Sequence, residues 1–268
     1  MRMAIKTFLA LVLLASSFYA VPMLEPFQKE ISSGDEIYLG EIGPGQTISM
    51  SFDGRPKAGG MYGIGGAYDI ANVSELPAGW AAMPSDWDGI PLQVKITAAK
   101  DAPEGEYRAV VNILDVQYEG LQNVSFFVKL NVTHDVLDAS LDSSRKDTLS
   151  GQPASFYITI SNKASTGDVF TVSSSNVPKW AFKKYVYVPA KSSKTVQYEV
   201  MSAEEARYSP RILIVSESSS MINKTLDASV NAEPSLTADY KATNNGMIFF
   251  PAMSGILYSL AGLISNLF

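Results

Sequence analysis

Between residues 30 and 233 the chain consists of short apolar segments separated by glycine, proline, asparagine and serine. In the segment 123–132 every even position is apolar, and all odd positions except Phe127 are polar. A period of two with one apolar face is typical of a half-buried β-strand. The segment 225–230 alternates in the same way, which predicts one strand with Leu226, Ala228 and Val230 facing inwards. Because no long helical period accompanies these segments, the pattern predicts an all-β fold.

The sequence also repeats itself at a spacing of about 100 residues, the size of one immunoglobulin-like sandwich. Trp80, which follows Leu-Pro-Ala-Gly, is matched by Trp180, which follows Val-Pro-Lys. Tyr107, ahead of an apolar run, is matched by Tyr208, ahead of another. The repeat predicts two tandem immunoglobulin-like β-sandwiches, with Trp80 and Trp180 in their cores.

The two copies differ most ahead of the tryptophan, where the first copy contains the glycine-rich stretch 59–66. A phosphate-binding loop would continue with Gly-Lys-Ser/Thr and the start of a helix, and neither follows here. The stretch therefore predicts a flexible hairpin or loop.

The first copy carries a pattern that resembles a known family. LPAGW at 76–80 is followed by an alternating segment and then by DAPEGEY at 101–107. This arrangement resembles the immunoglobulin-like domain associated with α-galactosidases (the NPCBM-associated type), over roughly residues 30–233. The second copy matches less well, because it lacks the glycine ahead of Tyr208. The resemblance implies an accessory or surface module without catalytic residues, as in archaeal and bacterial membrane-anchored proteins, and leaves the ligand open.

The N-terminus has the pattern of an export signal. Arg2 and Lys6 precede a short apolar segment, and the small residues Ala15 and Ser17 permit cleavage, which predicts a signal peptide. The alternative is an uncleaved N-terminal anchor.

The C-terminal segment 247–268 is 22 residues long and contains no charge. As a helix it would span about 30 Å, the hydrocarbon thickness of a bilayer, which predicts a single transmembrane helix. Three alternatives stay open: a tail removed on lipid attachment, a helix lying in the membrane interface, and a segment buried in a partner. The predicted organisation is a signal peptide (1–20), two sandwiches (21–134 and 135–232), a linker (233–246) and a transmembrane helix (247–268).

Gly255, Ser259, Gly262 and Asn266 lie on one face of that predicted helix. Small residues let a second helix approach closely, and an asparagine can hydrogen-bond across the contact. The face predicts a protein partner or self-association within the membrane. The alternative is that Gly and Ser are simply frequent in transmembrane helices.

Charge and cysteine content restrict the partners and the setting. The net charge is −6 and lysines and arginines do not cluster, which excludes nucleic acid as a partner. Cysteine is absent, whereas secreted eukaryotic sandwiches usually carry a disulfide, so an archaeal or bacterial surface protein is favoured. Together with the signal peptide, this places residues 21–246 on the extracytoplasmic side of the cell membrane.

Several side chains are candidate sites. Trp87 stands between Asp86 and Asp88, so its ring is a candidate for stacking on a sugar; the alternative is a turn that covers the edge of the core. Asp135 and Asp138 at the domain junction are candidate Ca²⁺ ligands, the alternative being solvated acids at a strand end. Four sequons mark candidate glycosylation sites on an exported chain: Asn72, Asn123, Asn131 and Asn223.

Catalysis has little to draw on. His134 is the only histidine and cysteine is absent, so a zinc site lacks ligands and any His-based catalytic triad would have to use this one residue. We expect no enzyme activity and no cofactor. The sequence therefore predicts a non-catalytic, membrane-anchored surface protein with a structural or interaction role. The alternatives are an accessory subunit of an envelope complex for glycan processing or export, and a carbohydrate-binding module.

Overall fold

The computed structural model describes most of the region that the repeat covers, namely residues 20–149, 152–177, 182–201 and 207–234. The chain divides into two units between His134 and Asp135, and Ala164–Thr166 group with the first unit. Every regular element in the described residues is a β-strand, so the protein is all-β.

The first unit contains nine strands in two sheets, with strand orders β2-β1-β4-β7-β6 and β3-β9-β8-β5. All neighbouring pairs are antiparallel except β3 and β9, which run parallel. The strands are β1 Val21–Glu25, β2 Lys29–Ile31, β3 Glu36–Ile42, β4 Thr47–Phe52, β5 Ile70–Ser74, β6 Ala81–Met83, β7 Leu92–Thr97, β8 Gly105–Leu114 and β9 Val124–Val132.

The described part of the second unit contains ten strands, in sheets of order β10-β12-β15, β14-β13-β17-β18 and β11-β19-β16. The strands are β10 Leu137–Leu141, β11 Arg145–Leu149, β12 Pro153–Asn162, β13 Asp168–Ser175, β14 Lys184–Val188, β15 Ser192–Met201, β16 Arg207–Tyr208, β17 Arg211–Ser216, β18 Asn223–Asp227 and β19 Ser229–Glu233.

The strand order of the first unit is that of an immunoglobulin-like sandwich. One sheet joins the first, second, fifth and fourth strands of the fold (β1, β4, β7, β6), and the other joins β9, β8 and β5. The hydroxyl of Tyr107, near the start of β8, donates to the carbonyl of Pro103 at 2.9 Å, which is the tyrosine corner of this fold. The repeat-matched tyrosine thus ties a strand to the loop before it.

The core of the first unit lies between its two sheets. The alternation in β9 is confirmed, because Val124, Phe126, Val128, Leu130 and Val132 are all buried. Phe126 meets Phe52 of the opposite sheet edge-on, with ring centroids 5.7 Å apart, which is a favoured aromatic geometry.

Trp80 packs against this core without entering it. Its ring lies 5.0 Å from that of Tyr107, and the side chain stays partly exposed, because β6, which it precedes, is the last strand of its sheet. Trp180 lies outside the described residues.

The prediction of one strand over 225–230 is wrong in one respect, because two strands of different sheets share this segment. β18 pairs with β17, whereas β19 pairs with β11 and β16, and Ala228 separates them. Opposite the break lies Pro210, between β16 and β17, whose carbonyl accepts the N–H of Ala228 at 3.0 Å. Proline has no N–H to donate, so the ladder is interrupted on both strands at one level.

Among the described residues no helix has the length and apolar character that crossing a bilayer requires. The predicted signal peptide, linker and transmembrane helix lie outside these residues, apart from Ala20, Glu233 and Pro234. The same holds for the predicted helix-packing face, Gly255, Ser259, Gly262 and Asn266.

Candidate functional site

Three loops meet at one end of the first sandwich: residues 53–69 between β4 and β5, 84–91 between β6 and β7, and 115–123 between β8 and β9. Backbone hydrogen bonds join them, from Asp88 N to Asp69 O at 2.8 Å and from Met61 N to Glu119 O at 2.6 Å. We call this region the loop end. It contains both Trp87 and the glycine-rich stretch.

Asp69 lies at the centre of the loop end and is only 2% exposed. One carboxylate oxygen accepts the backbone N–H groups of Val116 and Gln117, the second at 2.8 Å. The other oxygen accepts the side-chain amide of Gln117, also at 2.8 Å. Hydrogen bonds to a buried carboxylate are charge-assisted, so the side chain of Asp69 holds the loop 115–123 firmly against its own loop. Its backbone carbonyl, which accepts the N–H of Asp88, adds the third loop.

Two further carboxylates hold the last of these loops. Asp115 accepts the N–H groups of Glu119 and Leu121 at 2.9 and 2.8 Å. Glu119 in turn accepts the N–H of Ala67 at 2.6 Å, which connects this loop to residues 53–69. The backbone of the loop end is therefore bound internally rather than left to solvent.

The glycines of the stretch 59–66 allow close backbone packing. Gly65 has φ of +97°, and a Cβ there would lie 2.1 Å from the carbonyl oxygen of Pro56. Gly120, in the neighbouring loop, has φ of +86°, and a Cβ there would lie 2.6 Å from Met61 N. The stretch forms a loop, as predicted, and its composition follows from this packing.

On this internally bonded backbone stand exposed apolar side chains. Tyr62 and Tyr118 are each 81% exposed, and Trp87 is 53% exposed. Met61, Ile64 and Ile90 are also more than half exposed. Large apolar groups grouped at one end of a domain indicate an interaction surface, because burying them would release ordered water.

Between the loops lies a cleft of about 280 Å³. Its polar lining includes Asp69, Asp88, Glu119, Gln117 and Arg55. Both oxygens of Asp69 and one oxygen of Glu119 already accept N–H groups of the protein, so these two side chains serve mainly to hold the loops together. Trp87 belongs to the loop that supplies Asp88, and about half of its side chain is exposed.

The sequons lie in different environments. Asn123 and Asn223 are exposed, while Asn72 and Asn131 are half-buried in β5 and β9. Asn72 Oδ1 accepts the side-chain amide of Asn112 at 3.1 Å, and Asn123 Oδ1 accepts the N–H of Asp115 at 2.9 Å. Asn223 begins β18, the last strand of its sheet, and its side-chain amide donates to the carbonyl of Ser220 at 2.9 Å.

The junction acids pair with lysines. Asp135 accepts Lys163 Nζ at 2.9 Å, and Asp138 lies 3.2 Å from Lys224 Nζ. The hydrogen bond from Lys224, aided by the N–H of Ala139, lowers the pKa of Asp138 below its ordinary value. Within the described part of the chain no three metal-ligating side chains group together, so the candidate Ca²⁺ site at Asp135 and Asp138 has no third side-chain ligand there.

His134, the single histidine, lies beside Glu104. Its backbone N–H donates to Glu104 Oε1 at 2.9 Å, and its Nδ1 lies 3.9 Å from the same oxygen. These contacts hold His134 against Glu104, just after the end of β9.

Sequence reasoning missed a third matched pair. Asp168 at the start of β13 is 5% exposed and accepts the hydroxyls of Ser216 and Ser218, at 2.6 and 2.9 Å. It corresponds to Asp69, which directly precedes β5. In each unit one buried aspartate therefore lies where the chain enters the equivalent strand, β5 or β13. The signal was present, because the two aspartates are 99 residues apart and each adjoins an alternating strand.

No family model matches the sequence, and no curated protein is significantly similar to it. Among solved structures, a chimeric titin Z1Z2 carrying an exogenous decorin peptide aligns over 81% of the chain and 98% of its own, at 9% identity and a TM-score of 0.34. The D00-D0 domain of intimin aligns over 79% and 96%, at 11% identity and a TM-score of 0.26.

An endo-fucoidan hydrolase of glycoside hydrolase family 107 aligns over 76% of the chain but only 28% of its own length, at 10% identity and a TM-score of 0.31. At these identities and TM-scores the similarities carry no argument about ligand, activity or assembly. The immunoglobulin-like character of the first unit follows from its strand order and from the tyrosine corner.

Proposed function

We propose that this chain is a non-catalytic interaction protein, and that the loop end of its first sandwich binds a partner protein. The observation that carries the proposal is the combination of an internally bonded backbone with exposed Tyr62, Tyr118 and Trp87. Tyrosine and tryptophan supply large contact area at a small entropic cost, and a preorganised backbone lowers the ordering cost of binding further.

The apolar side chains favour a protein over a sugar. Met61, Ile64 and Ile90 are exposed aliphatic groups beside the aromatic rings, and such a mixture matches the core of a protein interface. A sugar site would need free hydrogen-bonding groups, but both oxygens of Asp69 and one oxygen of Glu119 already accept N–H groups of the protein.

Carbohydrate binding is the second candidate, supported by the exposed ring of Trp87 beside the cleft. It predicts that the full chain is retained on a glycan array and that Trp87→Ala abolishes retention.

The setting of this function is part of the proposal. The signal pattern of residues 1–20 and the uncharged segment 247–268 support a single-pass membrane protein with residues 21–246 outside the cell. An accessory subunit of an envelope complex would in addition use Gly255 and Gly262 for helix packing, and Gly262→Leu would then release a membrane partner.

The test uses a photo-crosslinking amino acid at Tyr62 or at Tyr118 in the full chain, in native envelopes. Tyr38 is the matched control, because it is a tyrosine of the same unit, 53% exposed, on strand β3. We expect one discrete adduct from both loop-end positions and none from position 38. Adducts of equal yield from all three positions, or none from any, would contradict the proposal.

A further inference from the structure

In the second unit two neighbouring strands each have one side without a strand partner among the described residues. β15 pairs with β12 over ten register positions, Pro153↔Met201 to Asn162↔Ser192, and β14 pairs with β13 over five. The two strands follow each other in the chain but belong to different sheets. In the first unit the strand at the same place in the fold, β6, pairs with β7 instead.

Lysine side chains bridge the gap between β14 and β15. Lys184 Nζ donates to the carbonyl of Gln197 at 2.9 Å, and Lys194 Nζ donates to the carbonyl of Tyr187 at 3.4 Å. The carbonyl of Gln197 therefore faces away from β12. Because backbone groups alternate sides along an antiparallel strand, those of Thr195 and Glu199 face the gap as well.

A groove of about 390 Å³ follows this gap, lined by Phe182, Lys183, Lys184, Gln197, Tyr198 and Glu199. Phe182 is 50% exposed and offers an apolar contact. Tyr198 closes the floor, since it is buried and its hydroxyl donates to the carbonyl of Phe182 at 2.7 Å.

We propose that an extended, acidic segment of a partner protein binds in this groove by adding a strand to the free side of β15. Main-chain hydrogen bonds to an unpaired edge supply affinity in this mode of recognition, and side-chain contacts supply specificity. Here the lining is cationic, because Lys183 and Lys184 line the groove and Glu199 is the one acid among the lining residues. Lys194 adds a further positive charge along the same gap.

The charge of the lining also selects among the occupants. Lysines on an edge also discourage unspecific pairing, so an incoming strand must neutralise them. An acidic strand does so, and its N–H groups replace the lysine donors on the carbonyl of Gln197.

The probe for this site is a blocked, fluorescent ten-residue peptide of alternating Glu and Val, added to the full chain in detergent and followed by fluorescence anisotropy. Two control peptides separate the contributions. Alternating Lys and Val inverts the charge, and alternating Glu and Pro keeps the charge but removes every second N–H. We expect saturable binding of the Glu-Val peptide alone.

Three variants locate the binding. Lys184→Glu is expected to weaken binding about tenfold, because an attractive pair becomes a repulsive one, which is worth about 1.4 kcal/mol. Lys29→Glu, at an exposed lysine of the first unit, should leave it unchanged. Gln197→Pro removes an N–H on the free side of β15 while leaving the ladder to β12, and should also reduce binding about tenfold.

Equal binding of the Glu-Val and Glu-Pro peptides would overturn the proposal, because charge alone would then explain it. Absence of binding to the wild-type chain would overturn it too and would show a protected edge. A disulfide-linked dimer from Gln197→Cys, formed without the peptide, would identify a second copy as the occupant instead. The outcome is independent of the loop end, since a Tyr62→Ala chain should bind the peptide as the wild type does.

Discussion

The two sandwiches have similar strand orders but differ in the lengths of their loops and in the sheet that β6 and β14 join. The first has long connections at the loop end, 53–69 and 84–91, whereas the corresponding connections of the second are 163–167 and 189–191. The second has instead a longer strand at the edge, because β14 forms five pairs with β13 whereas β6 forms three with β7. A sandwich can thus place its variable residues in loops or in an edge, and each choice creates a different surface.

The side-chain pattern explains which choice each unit makes. In β14, Val186 and Val188 alternate with tyrosines and are buried, so the strand contributes to the core while it pairs with β13. In β6, Ala81 and Met83 are exposed, and the strand has no apolar face of comparable size. A strand such as β6, with few apolar side chains to bury, forms only a short edge, and the loops beside it supply the exposed surface of the first unit.

The largest expected difference between the units concerns their buried aspartates. Asp69→Ala leaves two backbone N–H groups of another loop without an acceptor. Asp168→Ala leaves one, that of the adjacent Val169, together with two hydroxyls that can rotate to other acceptors. We expect the free energy of unfolding to fall by about 3 kcal/mol for Asp69→Ala and by about 1.5 kcal/mol for Asp168→Ala. Denaturant unfolding followed by amide exchange in each unit measures both.

Asp86→Ala is the control, because Asp86 is exposed in the same loop end and should change stability by less than about 0.5 kcal/mol. If Asp168→Ala cost as much as Asp69→Ala, the braced backbone would not distinguish the units.

A smaller effect is expected from the glycines of the loop end. Gly65→Ala places a Cβ 2.1 Å from the carbonyl oxygen of Pro56, whereas Gly63→Ala, at φ of +72°, meets no atom within 4 Å. The second change costs about 1 kcal/mol of backbone strain alone, and the first should cost at least about 2 kcal/mol because the loop must also move. Thermal unfolding compares them, and equal losses would mean that close packing does not determine the glycine content.

The smallest effect concerns acid stability of the second unit. The pKa of Asp138 is lowered by Lys224, so its contribution to stability is present above the ordinary aspartate range and is lost as the pH falls through that range. Because the side chain is 55% exposed, solvent screening limits this contribution to about 0.5 kcal/mol. Unfolding measured at pH 7 and at pH 3 tests this.

Asp138→Asn should remove this contribution to the pH dependence entirely, and Lys224→Gln should remove most of it, since the N–H of Ala139 still stabilises the carboxylate. A pH dependence unchanged in both variants would assign the acid sensitivity to other groups.

The sequence predicts much of the fold, because alternation and repeat spacing are local signals. The inward face of β9 and the tyrosine corner at Tyr107 follow from such signals. The sheet to which β14 belongs does not, since both sheets offer an edge to which it could hydrogen-bond, and its alternation is the same on either one. The break at Ala228 depends on Pro210 in the facing strand, and a pattern within one segment cannot show that pairing.

The candidate site was only partly predictable for the same reason. Trp87 drew attention by its residue type, and the glycines did so by composition. Asp69 is an ordinary acid ahead of an apolar segment, and its importance comes from Val116 and Gln117, which approach it from a loop more than 40 residues away. Contacts between loops of this kind arise from the fold as a whole.

The parallel pairs β3–β9 and β11–β19 determine how each unit would respond to a pulling force. In each unit a strand near the beginning lies beside and parallel to the last strand. The pairs run from Glu36↔Phe127 to Ile42↔Val132, with one register shift after Tyr38, and from Arg145↔Ser229 to Leu149↔Glu233. Tension applied to the two ends of such a unit pulls these strands in opposite directions along their length. All hydrogen bonds between them are then loaded in shear together, so a tethered chain resists extension before either sandwich opens.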